Sequence, residues 1–286
     1  MGLGRCGMNE AAVRKEVSQG TRPVGSANEA DASRKVREMF TRIAPRYDLL
    51  NHLLSLQMDR MWRARTARIL QPILDRPDAR ILDLCCGTGD LGLALQRKAK
   101  GRVWGADFAH AMLVRAKRKA EEFASRPLKV ESERPNRETR RPPADTTGWR
   151  IPFVESDALR MPFADASFDL VTAAFGFRNL ANYEAGLHEI WRVLKPGGTA
   201  AILEFTEPAP GWFGDFYRWY FRSVLPRLGG IISGDRLAYT YLPSSVARFL
   251  RPAELSELMR QSGFQNVQAR IWTGGTVALH AGEKKA

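Results

Sequence analysis

From residue 79 onward, short apolar runs alternate with amphipathic segments in a regular order. The succession is ARILDLC, LGLALQRKA, GRVWGADF, AMLVRAKRKAEEF, WRIPFVESDA, FDLVTAAF, YEAGLHEIWRVL and GTAAILEF. The compact apolar runs read as strands, and the segments between them carry the 3.6-residue period of helices. Strands that alternate with helices need right-handed crossovers and give a parallel sheet covered on both faces. The pattern therefore predicts a doubly wound α/β domain. The chain closes with a helical PAELSELMRQSG and two strand-like runs, FQNVQARIWTG and TVALHAG. The short turn between these last two predicts an antiparallel hairpin on the sheet edge.

Ahead of the sheet the period is helical. Leu49, Leu50, Leu53 and Leu54, then Met61 and Trp62, then Ile69 and Leu70 recur at helix spacing, broken by Pro45 and Pro72. This predicts a helical N-terminal layer, with its first helix starting near Ser33 in SRKVREMF. Residues 1–33 are rich in Gly, Ala, Ser, Asn and charge, without an apolar period, and read as a flexible basic arm. Residues 34–286 then form a single domain. Within it, residues 124–150 are polar, proline-containing and aperiodic, longer than an ordinary helix–strand connection, and read as an inserted surface loop.

Composition narrows the class. A chain of 286 residues with 44% hydrophobic content can bury one large core. The net charge of +13 admits a nucleic acid or an anionic membrane surface as a partner without establishing either. Residues 1–46 carry nine Lys/Arg against five Asp/Glu and residues 124–150 carry seven against four, about half of the excess, and solvated charge is the ordinary outcome in such segments. No aromatic-basic strand of the RGFGFV type is present, which makes nucleic acid the weaker partner. Three cysteines, Cys6, Cys85 and Cys86, are too few for a disulfide framework and fit a reducing compartment. The N-terminus lacks the apolar core of a secretion signal, and no run of about 18 apolar residues occurs, so a cytoplasmic location is expected. His52, His188 and His280 are scattered and the adjacent cysteines form no ligand set, so no metal is expected.

The chemistry concentrates at strand ends. In ILDLCCGTGDL the first strand breaks into a glycine turn, where Gly87 and Gly89 let the backbone bend and a ligand approach closely. No Lys follows Gly89, so the phosphate-gripping loop is absent, and Asp90 stands where a dinucleotide's pyrophosphate would lie. A cationic ligand suits this turn better. Asp83 adds a second carboxylate, Asp107 ends the second strand where ribose hydroxyls are bound, and Asp157 with the Ala158 backbone ends the third where an adenine edge is read. Four carboxylates at successive strand ends point to S-adenosylmethionine.

This arrangement resembles the class I methyltransferases. The resemblance sharpens in VREMFTRIAPRYDLLNHLLS, LDLCCGTGDL, DALRMPFADASFDLVTAAFGFRNL, RVLKPGG, LEFTEP and GGTVALHAG, which are similar to the ubiquinone/menaquinone biosynthesis C-methyltransferases over residues 35–282. RVLKPGG alone occurs throughout the class, whereas its combination with FGFRN and LEFTEP is specific. The resemblance implies a Rossmann-like, mostly parallel seven-stranded sheet and methyl transfer from S-adenosylmethionine to a ring carbon of a polyprenylated quinol. Demethylmenaquinol is the expected acceptor, with the corresponding benzoquinol of ubiquinone biosynthesis as the alternative. A small-molecule or RNA methyltransferase of the same fold is a further alternative.

Thr88, Asp107, Asp157 and Ala158 match the family's cofactor contacts, and Asp83, Gly87, Gly89, Phe108, Met112 and Ala174 are expected beside them. Ala174 departs from the Ser-Phe-Gly pattern of ubiquinone-pathway members, which favours the menaquinone reading. Asp48 and Asn51 in RYDLLN, Phe175, and Asp235, Tyr239 and Tyr241 in GDRLAYTYLPSS are the expected substrate contacts. Arg178 is expected to hold a quinol phenolate, Asn179 to orient the same oxygen, and Tyr47 to complete the catalytic set. The aromatic and basic residues Phe213, Phe216, Tyr217, Arg218, Trp219, Tyr220, Phe221, Arg222 and Arg227 fit either docking on an anionic membrane that carries the lipid tail or the face of a homodimer.

Overall fold

The computed structural model describes residues 20–48, 55, 57–125, 151–209, 211–220, 223, 241 and 244–286. Helix α1 (Glu29–Ile43) starts four residues before Ser33. The Asn28 side chain accepts from the Asp31 backbone N–H, and Glu29 and Asp31 sit in the first turn, where the helix dipole favours carboxylates. Ala32, Val36 and Met39 form its buried stripe. The expected boundary of the arm is corrected with it: Thr21 is buried, its N–H donates to the Leu180 carbonyl, and its hydroxyl lies 2.8 Å from the Tyr183 hydroxyl. The body of the protein therefore includes the chain from Gly20. Of the arm, residues 1–19 lie outside the described residues, as do residues 126–150 of the expected inserted loop.

A 3₁₀ turn (Ala44–Arg46) leads on to α2 (Met58–Ile69) and the short α3 (Gln71–Leu74). Then come β1 (Arg80–Leu84), α4 (Asp90–Gln96), β2 (Arg102–Asp107), α5 (His110–Ser125), β3 (Phe153–Glu155) and β4 (Phe168–Ala174). A second 3₁₀ turn (Phe177–Asn179) precedes α6 (Tyr183–Val193) and β5 (Leu194–Phe205). The chain ends with α7 (Trp212–Trp219), α8 (Pro252–Gln261), β6 (Phe264–Trp272) and β7 (Val277–Lys284).

The seven strands lie in the order β3-β2-β1-β4-β5-β7-β6. The first five are parallel, and β7 inserts antiparallel between β5 and β6. The expected doubly wound sheet and C-terminal hairpin are both present. Strand alternation divides the core. Leu82 and Val171 face the layer of α6 and α8 with Leu187, Ile190, Leu255 and Met259, while Ile81 and Leu170 face α2 and α4 with Trp62, Leu91 and Leu95. Each such fully buried aliphatic side chain contributes roughly 1.5–3 kcal/mol of transfer free energy. Strand order reverses between β1 and β4, and open α/β sheets bind ligands outside the carboxyl ends at that point. Among the described residues no helix is long and apolar enough to cross a membrane.

Candidate active site

A cleft opens where β1 and β4 diverge. Its walls are the glycine turn after β1 (Cys85, Gly87), the ends of β2 and β3 (Asp107, Phe108, Ser156, Asp157, Ala158), and the end of β4 with the following turn (Phe175, Gly176, Asn179). Met112 of α5 and Ser33, Phe40 and Tyr47 of the N-terminal layer complete the wall. Nine residues expected from the sequence thus meet in one place: Tyr47, Gly87, Asp107, Phe108, Met112, Asp157, Ala158, Phe175 and Asn179.

The floor is tight and strained. Cys85 and Phe175 adopt φ of 52° and 58°, left-handed values that cost a side-chain-bearing residue about 1–3 kcal/mol and concentrate at functional sites. A Cβ on Gly176 would stand 2.5 Å from that of Cys85, so only glycine lets the two strand ends close. Gly87 and Gly89, with φ of 54° and 83°, turn the chain from β1 into α4. Burial pushes both cysteine thiols well up, so they stay protonated and unreactive.

Asp107 is the buried charge of the cleft. Its two oxygens accept from the backbone N–H groups of Gly87 and Ala109, each at 2.9 Å. Burial raises its pKa to about 6 against the lowering effect of those two bonds, which leaves it ionised at neutral pH. An ionised carboxylate has about four acceptor positions, so capacity remains for two ligand hydroxyls. Among the described lining residues there is no Lys, Arg or His, and the charges are those of Asp107 and Asp157. A basic protein has built an acidic cleft. This donor set fits a nucleoside that carries a positive sulfonium and offers no cationic anchor for a pyrophosphate.

The structure places several of the expected residues outside the cleft lining. Asp83 does not line the cleft. It lies beneath the turn, accepting from Gly92 N–H at 2.7 Å and from the Thr172 hydroxyl at 3.1 Å, and burial raises its pKa to about 7. Thr88 is buried on the far side of the turn, where its hydroxyl donates to Asp48 at 2.5 Å and accepts from Lys119 at 3.1 Å. Asp48 accordingly faces a second, charged recess with Arg63, Asp90 and Lys119. Gly89 and Ala174 shape the turn and the end of β4 without lining the cleft.

Arg178 also lies away from the cleft lining. It is 5% exposed, and its guanidinium donates to Glu204 Oε1 at 2.7 Å, to the Phe175 carbonyl and to the Ser245 hydroxyl. Burial pulls its pKa down, and Glu204, with Tyr47 and Tyr241 nearby, more than restores it. Expected to hold a phenolate, Arg178 lies in this structure in a buried ion pair that joins the end of β4 to β5. Glu204 was not foreseen, although a carboxylate inside the apolar run AAILEF signals that a cation must meet it. Asn179 does face the cleft, and its Oδ1 accepts from the Tyr241 hydroxyl at 3.0 Å. Asn51, Asp235 and Tyr239 lie outside the described residues.

Comparison with known proteins agrees with this geometry. The chain is 47% identical over 247 residues to a protein from Thermus thermophilus named demethylmenaquinone methyltransferase, covering 86% of this chain and all of the relative. It is 43% identical over 264 residues to a Deinococcus radiodurans protein of the same name, covering 92% and 97%. A Geotalea daltonii protein named ubiquinone/menaquinone biosynthesis C-methyltransferase UbiE is 38% identical, covering 87% and 96%. Among solved structures, an S-adenosylmethionine-dependent methyltransferase from Thermotoga maritima superposes with a TM-score of 0.56 at 18% identity, covering 87% of this chain and 99% of that one, which shows the shared fold. Residues 28–284 match the ubiE/COQ5 methyltransferase family, and the chain belongs to that family of S-adenosylmethionine-dependent enzymes.

Proposed function

We propose that the enzyme C-methylates demethylmenaquinol, with its cofactor held in the acidic cleft. The observation that carries the reading is the joint presence, in one cleft, of the Asp107 carboxylate, the aromatic walls of Phe40, Tyr47, Phe108 and Phe175, and the Asn179–Tyr241 pair. The relatives named demethylmenaquinone methyltransferase, at 43% and 47% identity over nearly their whole length, support the naphthoquinol over the benzoquinol.

Asp107 would hold the ribose, Asp157 and the Ala158 backbone the adenine, and the Gly87–Gly89 turn the methionine portion. When bound, S-adenosylmethionine supplies a methyl group already activated by its positive sulfur. The chain's own residues then position and shield. The Tyr241 phenol, pushed well up by burial, stays protonated at neutral pH and acts as a donor. With its oxygen engaged by Tyr241, Asn179 presents its amide N–H₂ to a quinol oxygen and stabilises negative charge there. Phe175 packs in a tilted contact with Phe205 at 4.5 Å and meets Trp62 at 5.9 Å, an aromatic wall that excludes water beside the strained turn.

The polyprenyl tail of such a substrate resides in a bilayer, and helix α7 exposes Trp212 by 84% and Trp219 by 56%, two turns apart on one face. The aromatic preference for the interface supports contact of this face with an anionic membrane. Sedimentation with anionic liposomes at low salt tests the contact. A change of sedimentation coefficient without lipid would assign the face to a dimer instead. Transfer of label from S-adenosylmethionine to reduced demethylmenaquinone tests the function itself.

A further inference from the structure

Helix α5 presents Arg115 and Lys119 one turn apart, on the same face. Arg115 donates from Nε to the Ala44 carbonyl at 2.7 Å and from Nη2 to the Pro45 carbonyl at 2.5 Å. Both acceptors lie where α1 ends, and a cation there also answers the helix dipole. Lys119 reaches three groups: Asp48 Oδ2 at 3.1 Å, the Thr88 hydroxyl at 3.1 Å, and the Asp90 carboxylate. One ammonium thus bridges a carboxylate from the N-terminal layer and one at the start of α4, where Arg63 adds a second cation 3.5 Å from Asp90 Oδ2. Between the two anchor points stands Tyr47. Its ring is in edge contact with Phe40 at 6.0 Å, and its Cε1 lies 3.7 Å from where a Cβ on Gly87 would be.

We infer that Arg115 and Lys119 are positioning residues for methyl transfer, which hold the segment 44–48 so that Tyr47 covers the glycine turn and completes the cofactor cleft. The inference rests on the reading of that cleft as the S-adenosylmethionine site. Neither residue supports the sheet itself. Helix α5 is fixed there by Met112, Leu113, Ala116 and Ala120 on its buried face. Loss of either cation therefore leaves the fold in place and loosens one wall. The two cations also differ in what can replace them. Lys119 acts as a point charge that an arginine can supply, whereas Arg115 uses two N–H groups on two carbonyls, which a lysine cannot reproduce.

The test is binding of S-adenosylhomocysteine and steady-state kinetics on the full chain, with thermal melting of each variant as a control. K119M and R115A are expected to weaken binding by about tenfold or more, to raise the KM for S-adenosylmethionine by a similar factor, and to leave kcat within about threefold. K119R is expected to recover most of the affinity, R115K little of it, and the melting temperatures to stay within a few degrees of the parent. D48N, altered on the N-terminal side of the same bridge, is expected to follow K119M. Undiminished affinity in K119M and R115A would overturn the inference while leaving the cofactor site standing. So would a K119R variant as weak as K119M. A parent protein that fails to bind S-adenosylhomocysteine would overturn the cleft assignment, and this inference with it.

Discussion

Arg178 and Glu204 close on each other at 2.7 Å, both buried, across the gap between the turn after β4 and the end of β5. Glu204 Oε2 also accepts from the Arg178 backbone N–H, and Oε1 from that of Phe205, so the carboxylate is held on three sides. The pair sets the position of Phe175 and Asn179 without entering the cleft.

Removing one partner leaves an uncompensated buried charge. R178A should destabilise the protein by about 3–5 kcal/mol in denaturant unfolding, with the double replacement R178M/E204Q recovering a large part of that loss. A phenolate-binding role would instead give R178A near-normal stability and a collapse of kcat alone.

The Asp107 carboxylate should make cofactor binding acid-sensitive. Its pKa near 6 means that lowering the pH from about 7.5 to about 5.5 protonates it in the free protein and removes acceptor capacity for the ribose hydroxyls. Affinity for S-adenosylhomocysteine should fall over that interval, as read by calorimetry. D107N should bind at least about tenfold more weakly, by loss of charge-assisted hydrogen bonds worth about 1.5–3 kcal/mol each, and should show little of the pH dependence.

Asp83 sets a pH dependence of stability in the absence of ligand. Its carboxyl titrates near 7 in the fold against an ordinary 3.8, so the folded state holds the proton more tightly. The stabilisation is complete below about pH 4 and is lost as the pH rises through about 7, a change on the order of a few kcal/mol, to which Asp107 adds in the same direction. D83N, whose amide can accept from Gly92 N–H and donate to the Thr172 hydroxyl, should flatten the profile. A stability that climbs between pH 5 and pH 8 in the parent, measured by urea unfolding, would contradict this account.

Gly176 tests the strained floor sterically, because its own φ is not left-handed. G176A places a methyl 2.5 Å from the Cys85 Cβ and should cost about 1–3 kcal/mol as overpacking, with weaker cofactor binding because the strand ends must part. Unchanged melting and binding would show that the β1 and β4 ends yield freely.

The sheet was legible because β1, β2, β4 and β5 are compact apolar runs set between helical periods, and Asp107 because a carboxylate twenty residues past a glycine turn occupies a fixed place in such sheets. Long-range pairing was not legible. Glu204 and Arg178 are 26 residues apart, and nothing local tells a buried bridge from a free cation. Asp83, in β1, and Thr88, in the glycine turn, stand next to the cleft in sequence, but they lie beneath and behind the turn rather than in the cleft lining. Arg115 and Lys119 lie on the polar side of an amphipathic segment, and periodicity reports which face is polar and not what meets it. The start of α1 was misplaced because Asn28 with Asp31 caps the helix before Ser33 can.

On this reading the acidic, aromatic-walled cleft transfers a methyl group from S-adenosylmethionine to a prenylated naphthoquinol. Purified protein incubated with methyl-labelled S-adenosylmethionine and chemically reduced demethylmenaquinone, with the matching benzoquinol in parallel, should carry label into the naphthoquinol of the lipid phase. Absence of label from both quinols, in protein that binds S-adenosylhomocysteine, would contradict the substrate while leaving the cofactor site in place.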